Sequence, residues 1–228
     1  MWLTLAFVLV GAEPTSADAA FKQMEQQVAK CKTLQTQLEI SAGSGKDVAV
    51  SMKGRLLVAP GDKVRLELDG SIKGQADKMV MISNGTKQRM ISSGRPAQDQ
   101  DTKKQLGEVV LASLARGGIF FSLFTVAPEV ADEKDTFHPA KALTITDLKF
   151  GKKEVVSGIE AQAIEYKITL KDAKVAMAAT VWVDVKSYLP IKQVVDFKEG
   201  NNAITITEVY TKTAVDGKID AKEFELPK

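Results

Sequence analysis

The spacing of apolar residues changes period several times along the chain. Over residues 18–33, Phe21, Met24, Val28 and Cys31 recur every three or four positions with Lys and Gln between them. That spacing predicts an amphipathic helix, with Ser16 or Asp18 placed to cap its start. From Leu34 the period drops to two. Leu34, Thr36, Leu38 and Ile40 alternate with polar residues, and so do Val48, Val50 and Met52, then Val64, Leu66 and Leu68. These are half-buried strands. Gly54 interrupts the second run before Leu56-Leu57-Val58, and a glycine there predicts a bulge or a sharp bend. Pro60-Gly61-Asp62 is a turn. Met79 to Ser83 and Lys87 to Ser92 flank Asn84-Gly85, the strongest hairpin signal in the chain, because both positions tolerate positive φ.

The middle is different. Leu106, Val109, Val110, Leu111 and Leu114 form a helical stripe within 102–116, and Gly117-Gly118 ends it. Residues 119–124 then read Ile-Phe-Phe-Ser-Leu-Phe, and Pro128 with the acidic residues of 129–135 predicts a loop. From Ala142 the pattern is strand again, over 143–150, 161–170, 175–184, 190–197 and 203–213. Turns are predicted at Gly151-Lys152-Lys153, Ser157-Gly158 and 171–174. Many strands separated by turns predict an antiparallel barrel or a strongly curved sheet, with no βαβ alternation. We read a single α+β domain over residues 13–228.

Residues 2–10 are nearly all apolar, and Val10-Gly11-Ala12 offers small residues for cleavage after Ala12. Residues 1–12 therefore read as a secretory signal segment. The run is too short to span a bilayer, which takes about 20 apolar residues. No basic residue precedes it, which leaves a short membrane-associated N-terminus as the other reading. The one cysteine, Cys31, rules out an internal disulfide and lies too far along to be a lipidation site. A free cysteine of this kind is ordinarily a small buried hydrophobe. A net charge of +2, with no basic stripe interleaved with aromatics, excludes a nucleic-acid partner.

Residues 216–224 look like half of a calcium loop. Aligning Gly217 with the required glycine puts Lys212 and Ala214 at the first and third ligand positions, and neither supplies a carboxylate. His138 in Phe137-His138-Pro139, with one distant cysteine, makes neither a metal site nor a nucleophile pair. Gly43-Ser44-Gly45-Lys46 lacks the earlier glycine and following helix of a phosphate loop and reads as a turn. Asn84-Gly85-Thr86 is formally a glycosylation sequon, but it is read as the hairpin turn. With no nucleophile elbow and no zinc-protease signature, the sequence gives no enzyme, metal or cofactor.

Two sets of residues carry a resemblance. Gly54, Pro60, Arg65 and Asn84-Gly85 follow one another in strand, turn, strand, hairpin order. Val181-Trp182-Val183-Asp184, Leu189-Pro190-Ile191, Gly200-Asn201-Asn202, Ile219-Asp220 and Phe224-Glu225-Leu226-Pro227 close the chain. Their order resembles the bacterial outer-membrane lipoprotein-sorting carriers, the LolA/LolB-like family. The resemblance implies a curled, incomplete β-barrel around an apolar cavity, with helices across its open side as a lid. It implies a soluble, monomeric, periplasmic carrier that shields lipid or lipoprotein acyl chains. An inner-membrane donor and an outer-membrane acceptor are its expected partners. The same fold also serves as an envelope sensor that binds a membrane protein, and this stays open as the alternative.

On that resemblance Leu111, Leu114, Phe120, Phe121 and Phe124 are expected at the cavity and lid. Met79, Met81 and Met90 are expected as its adaptable wall, Gly117 and Gly118 as the lid hinge. Arg55 or Arg65 is the candidate contact to a headgroup or the lid, the alternative being a solvated strand residue. Trp182 is expected to pack in the core. Core packing is equally the plain reading of the apolar middle segment.

Overall fold

A computed structural model of the chain describes residues 14–45, 47–93, 95–126, 137–171, 176–199 and 202–227. The segment read as a signal and the acidic stretch after Pro128 lie outside the described residues. Helix α1 covers Ala17–Lys30, and Ser16 caps it, its side chain accepting the Ala19 N–H at 3.2 Å. The strands β1 (Leu34–Ser44), β2 (Asp47–Ala59), β3 (Lys63–Ile72), β4 (Gln75–Asn84), β5 (Lys87–Ser92) and β6 (Arg95–Asp101) follow as a meander. Then come α2 (Leu106–Ala115), a helix α3 over 119–126 whose Phe121–Val126 part is π-wound, and a single turn α4 (Pro139–Ala142). A second meander completes the fold: β7 (Leu143–Val156), β8 (Ile159–Leu170), β9 (Ala176–Asp184), β10 (Pro190–Glu199) and β11 (Asn202–Val215). The 3-10 turn Ala221–Phe224 ends it.

All eleven strands form one antiparallel sheet, ordered β6-β5-β4-β3-β2-β1-β11-β10-β9-β8-β7. The two meanders meet at a seam where Leu38, Ile40 and Ala42 of β1 face Tyr210, Glu208 and Ile206 of β11. The sheet is open, with β6 and β7 at its edges, and matches the expected curled, incomplete barrel. Alternation decides which residues face inward. Leu34, Leu38, Met52, Leu56, Val64, Leu66, Leu68, Ile164, Val181 and Ile206 form one core with the apolar faces of α1, α2 and α3. Phe21 of α1 meets Tyr166 of β8 edge to face, with ring centres 5.1 Å apart.

Four details differ from the sequence-based expectation. Gly54 sits in unbroken register between Leu38 and Leu68, with no bulge. A Cβ there would lie 1.7 Å from the Glu67 carbonyl oxygen, so the glycine serves close approach of the strands. Gly151-Lys152-Lys153 does not turn. β7 runs through it and absorbs its curvature in two register shifts, at Thr146/Lys149 and Phe150/Lys153. β6 was not anticipated, because Arg95-Pro96-Ala97-Gln98-Asp99-Gln100-Asp101 has no apolar alternation; it is an edge strand, where polar residues and proline are at home. Trp182 is half-buried rather than in the core, its indole N–H donating to Glu154 and its ring 4.3 Å from the Lys192 ammonium.

Candidate functional site

The inner face of the sheet is mostly apolar, and a cluster of buried polar side chains lies where α2 gives way to α3. Four polar side chains converge there from three strands: Glu208 and Tyr210 of β11, Gln193 of β10 and Tyr166 of β8. All four are buried. Gln193 and Glu208 are opposite each other across the β10–β11 ladder, and together they hold the two ends of the joint. The Gln193 amide donates to the Leu114 carbonyl at the end of α2. The Glu208 carboxylate accepts the N–H groups of Ile119 at 2.8 Å, Phe120 at 2.8 Å and Phe121 at 3.3 Å, at the start of α3. The Tyr210 hydroxyl donates to the same carboxylate at 2.9 Å, and the Tyr166 hydroxyl donates to Gln193 at 3.4 Å. The arrangement satisfies the free N–H groups of a helix start, and it places negative charge where the helix dipole favours it.

Burial works against that charge. Removal from water pushes the Glu208 carboxyl up to about 7, although the hydroxyl of Tyr210 and the three backbone N–H groups pull the other way. Burial also raises both tyrosines, and the Glu208 charge beside Tyr210 acts in the same direction. Arg116, which precedes the joint, is turned elsewhere: it pairs with Glu25 of α1 at 2.5 Å and donates to the Leu143 carbonyl at 3.0 Å. Among the described residues no cation forms an ion pair with Glu208.

The joint itself is Gly117-Gly118, with φ of +83° and +97°. A Cβ on Gly118 would come within 2.3 Å of the Glu208 Oε1, so only glycine leaves room for the carboxylate to reach three amides. The N–H of Gly118 donates back to the Ser113 carbonyl at 3.0 Å, and the Ser122 hydroxyl donates to the Arg116 carbonyl at 2.9 Å. At its other end α2 is held by Asp62 of the β2–β3 turn, whose carboxylate accepts the N–H groups of Gln105 at 3.2 Å and Gly107 at 3.1 Å. α2 is thus tied to the sheet at both ends, and among the described residues α3 is tied at its start.

The apolar residues singled out in the sequence gather in two places. Leu111, Leu114 and Phe121 are buried around the joint, and Phe121 lies 6.3 Å from the ring of Phe197 on β10. Phe120 and Phe124, one turn apart on α3, are half-buried with ring centres 5.6 Å apart. Met79, Met81 and Met90 sit on β4 and β5, where Met81 and Met90 are directly paired. Met81 is buried, while Met90 is exposed. A separate cleft of about 180 Å³ lies at the start of α1, lined by Ala20, Phe150, Ile164, Val183 and Tyr188 among others.

No protein-family model matches the chain, and no curated protein matches it in sequence. Solved structures match it in shape. LprF from Mycobacterium bovis does so with a TM-score of 0.47 at 8% identity, over 92% of this chain and 98% of its own. NE2245 from Nitrosomonas europaea, described as a LolA superfamily protein, gives 0.40 at 8% identity over 93% and 99%. The MucA/MucB complex of Pseudomonas aeruginosa gives 0.43 at 13% over 92% and 61%.

Arg55 and Arg65 are not at the lid. They alternate with core residues and so face outward, where Arg55 binds Glu67 at 2.6 Å and Glu223 at 3.0 Å. Arg65 donates to Glu67 at 2.5 Å and to the Glu223 carbonyl at 2.6 Å. Their work is to strap the C-terminal turn across β3 and β4, where Phe224 is buried. Among the described residues no group of His, Cys, Asp or Glu could hold a metal ion. His138 caps α4 by accepting the Ala140 N–H at 3.2 Å. Cys31 donates to the Gln27 carbonyl at 3.2 Å, and burial pushes its thiol up, away from the reactive thiolate.

The four polar residues of the joint were missed in the sequence. A signal for them exists: Ile206, Glu208 and Tyr210 share one strand phase, and a carboxylate in the apolar phase of a strand is out of place unless something inside needs it.

Proposed function

We propose that the protein is an exported carrier that holds acyl chains of a lipid or lipoprotein between the sheet and α3, and hands them on. The observation that carries this is α3 itself. It is a short helix bearing Phe120, Leu123 and Phe124 half-exposed, hung from a glycine joint over an apolar inner sheet face. A helix built only for core packing would turn these residues fully inward. Phenylalanine suits flexible hydrocarbon, since contact with it is non-directional. In this reading the cargo enters as α3 lifts, and burying it contributes about 0.8 kcal/mol per methylene. Handover then needs a more apolar acceptor.

The test is native mass spectrometry of the chain from Glu13, purified without detergent, with extraction of bound molecules. Stoichiometric phospholipid or acylated protein is the expected result. Replacing Phe121 and Phe124 together by Ser is expected to abolish uptake of added lipid while leaving the β-sheet spectrum. Uptake unchanged by that pair removes α3 from the reading. A ligand-free protein that takes up nothing removes the carrier.

A further inference from the structure

We propose that Glu208 gates access to the interior: with its carboxyl protonated the α3 joint stays closed, and ionisation loosens it. The inference starts from an imbalance in the clamp. The carboxylate is fully buried, yet among the described residues its partners are four hydrogen-bond donors and no formal positive charge: the N–H groups of Ile119, Phe120 and Phe121 and the hydroxyl of Tyr210. An ionised carboxylate held this way keeps its hydrogen bonds but forgoes its hydration, and it regains water only if α3 lifts away. A protonated one has little hydration to recover and nothing to gain by opening. The Tyr210 hydroxyl can turn to accept the carboxyl proton, while the other oxygen still receives backbone N–H groups.

The surroundings do not cancel this bias. From β8 the group faced is Tyr166, from β10 the uncharged Gln193, and from β1 the apolar Ile40. Arg116, after α2, is committed to Glu25 of α1. The hinge needed for release is present in the left-handed pair Gly117-Gly118, and the π-wound turn that follows is a rare form often found where a helix serves a function. Burial, which lifts the carboxyl to about 7, sets the range in which the gate works. The sign follows from linkage. The closed state binds the proton more tightly than an open, hydrated one, so opening becomes easier as pH rises from about 4.5 towards 7 and then levels off.

The gate rests on reading α3 as the movable cover, but it can be tested without lipid. Hydrogen exchange is followed in the full chain over residues 116–124 between pH 5 and pH 8, as protection relative to intrinsic rates. The expected result is a loss of protection on the order of 50- to 100-fold over that range, confined to this segment. Glu208→Gln, which cannot ionise but whose amide nitrogen cannot accept a backbone N–H, is expected to lower protection at every pH and to abolish its pH dependence. Tyr210→Phe removes a donor to the carboxylate and is expected to move the transition to higher pH, a shift that a merely structural role does not produce. Flat protection in the parent chain, gain of protection as pH rises, or equal pH dependence in Glu208→Gln each overturns the gate. Lipid uptake that survives such a result leaves the carrier standing, and a pH-gated α3 in a protein that takes up no lipid overturns the carrier alone.

Discussion

On β11 the inward residues Ile206, Glu208 and Tyr210 place one carboxylate in an otherwise apolar row, and Gly118 is the residue that makes room for it. Gly118→Ala is expected to destabilise the protein by about 2–4 kcal/mol, from the left-handed backbone and the displaced carboxylate together. Gly158→Ala is its control. That glycine also has positive φ, at +81°, but open space around it, so only the backbone part, about 1 kcal/mol, is expected in urea unfolding. The charge on Glu208 has its own signature. Its carboxyl is raised from 4.5 to about 7 in the folded state. Its contribution to stability is therefore greatest below about 4.5 and falls as pH rises to 7, by about 3 kcal/mol in all. Glu208→Gln is expected to flatten that part of the pH–stability curve. Arg65 acts outside this system. Arg65→Ala is expected to cost about 1 kcal/mol and to raise hydrogen exchange over 221–226, with exchange over 116–124 unchanged.

At the scale of elements, periodicity made much of the fold legible and little of the site. The stripe Leu106, Val109, Val110, Leu114 announced α2, and Gly117-Gly118 announced its end. The alternating runs placed most strands because each has one face in the core and one in water. β6 escaped because a polar edge strand has no buried face to write into its sequence. The turn expected at Gly151-Lys152-Lys153 came from local composition, which pairing with β8 overrode. The clamp was hidden for another reason. Glu208 and the amides it serves are 87 to 89 residues apart, and no local pattern records which helix start lies over which strand. The arginines were misplaced by the same blindness: their role depends on a tail more than 150 residues away. Asp62 illustrates the part that composition does reveal. It was read as a turn residue, and from that turn it also holds the start of α2. Asp62→Ala is expected to lose about 1 kcal/mol, as for other helix-start acceptors, and to raise exchange in the first turn of α2.

For the whole molecule, the open sheet leaves two edges that could pair with another copy. Both are guarded: β6 by Pro96 and its acidic residues, β7 by two register shifts and by Lys149 and Lys152. Replacing Lys149 and Lys152 with Val is expected to produce concentration-dependent association in sedimentation velocity, while the parent chain stays monomeric. The seam between β1 and β11 has a different kind of consequence. Every other pairing in the sheet joins strands adjacent in sequence, so each meander can assemble by hairpins as it is made. β1 alone must wait for a partner about 170 residues later. At about 5–20 residues per second of synthesis, that wait is on the order of ten seconds or more. Throughout it, the inner edge of β1 is unpaired and the apolar floor is only half built. A nascent chain in that condition is a natural client for chaperones, and it stays loose enough to be threaded elsewhere until its last strand arrives.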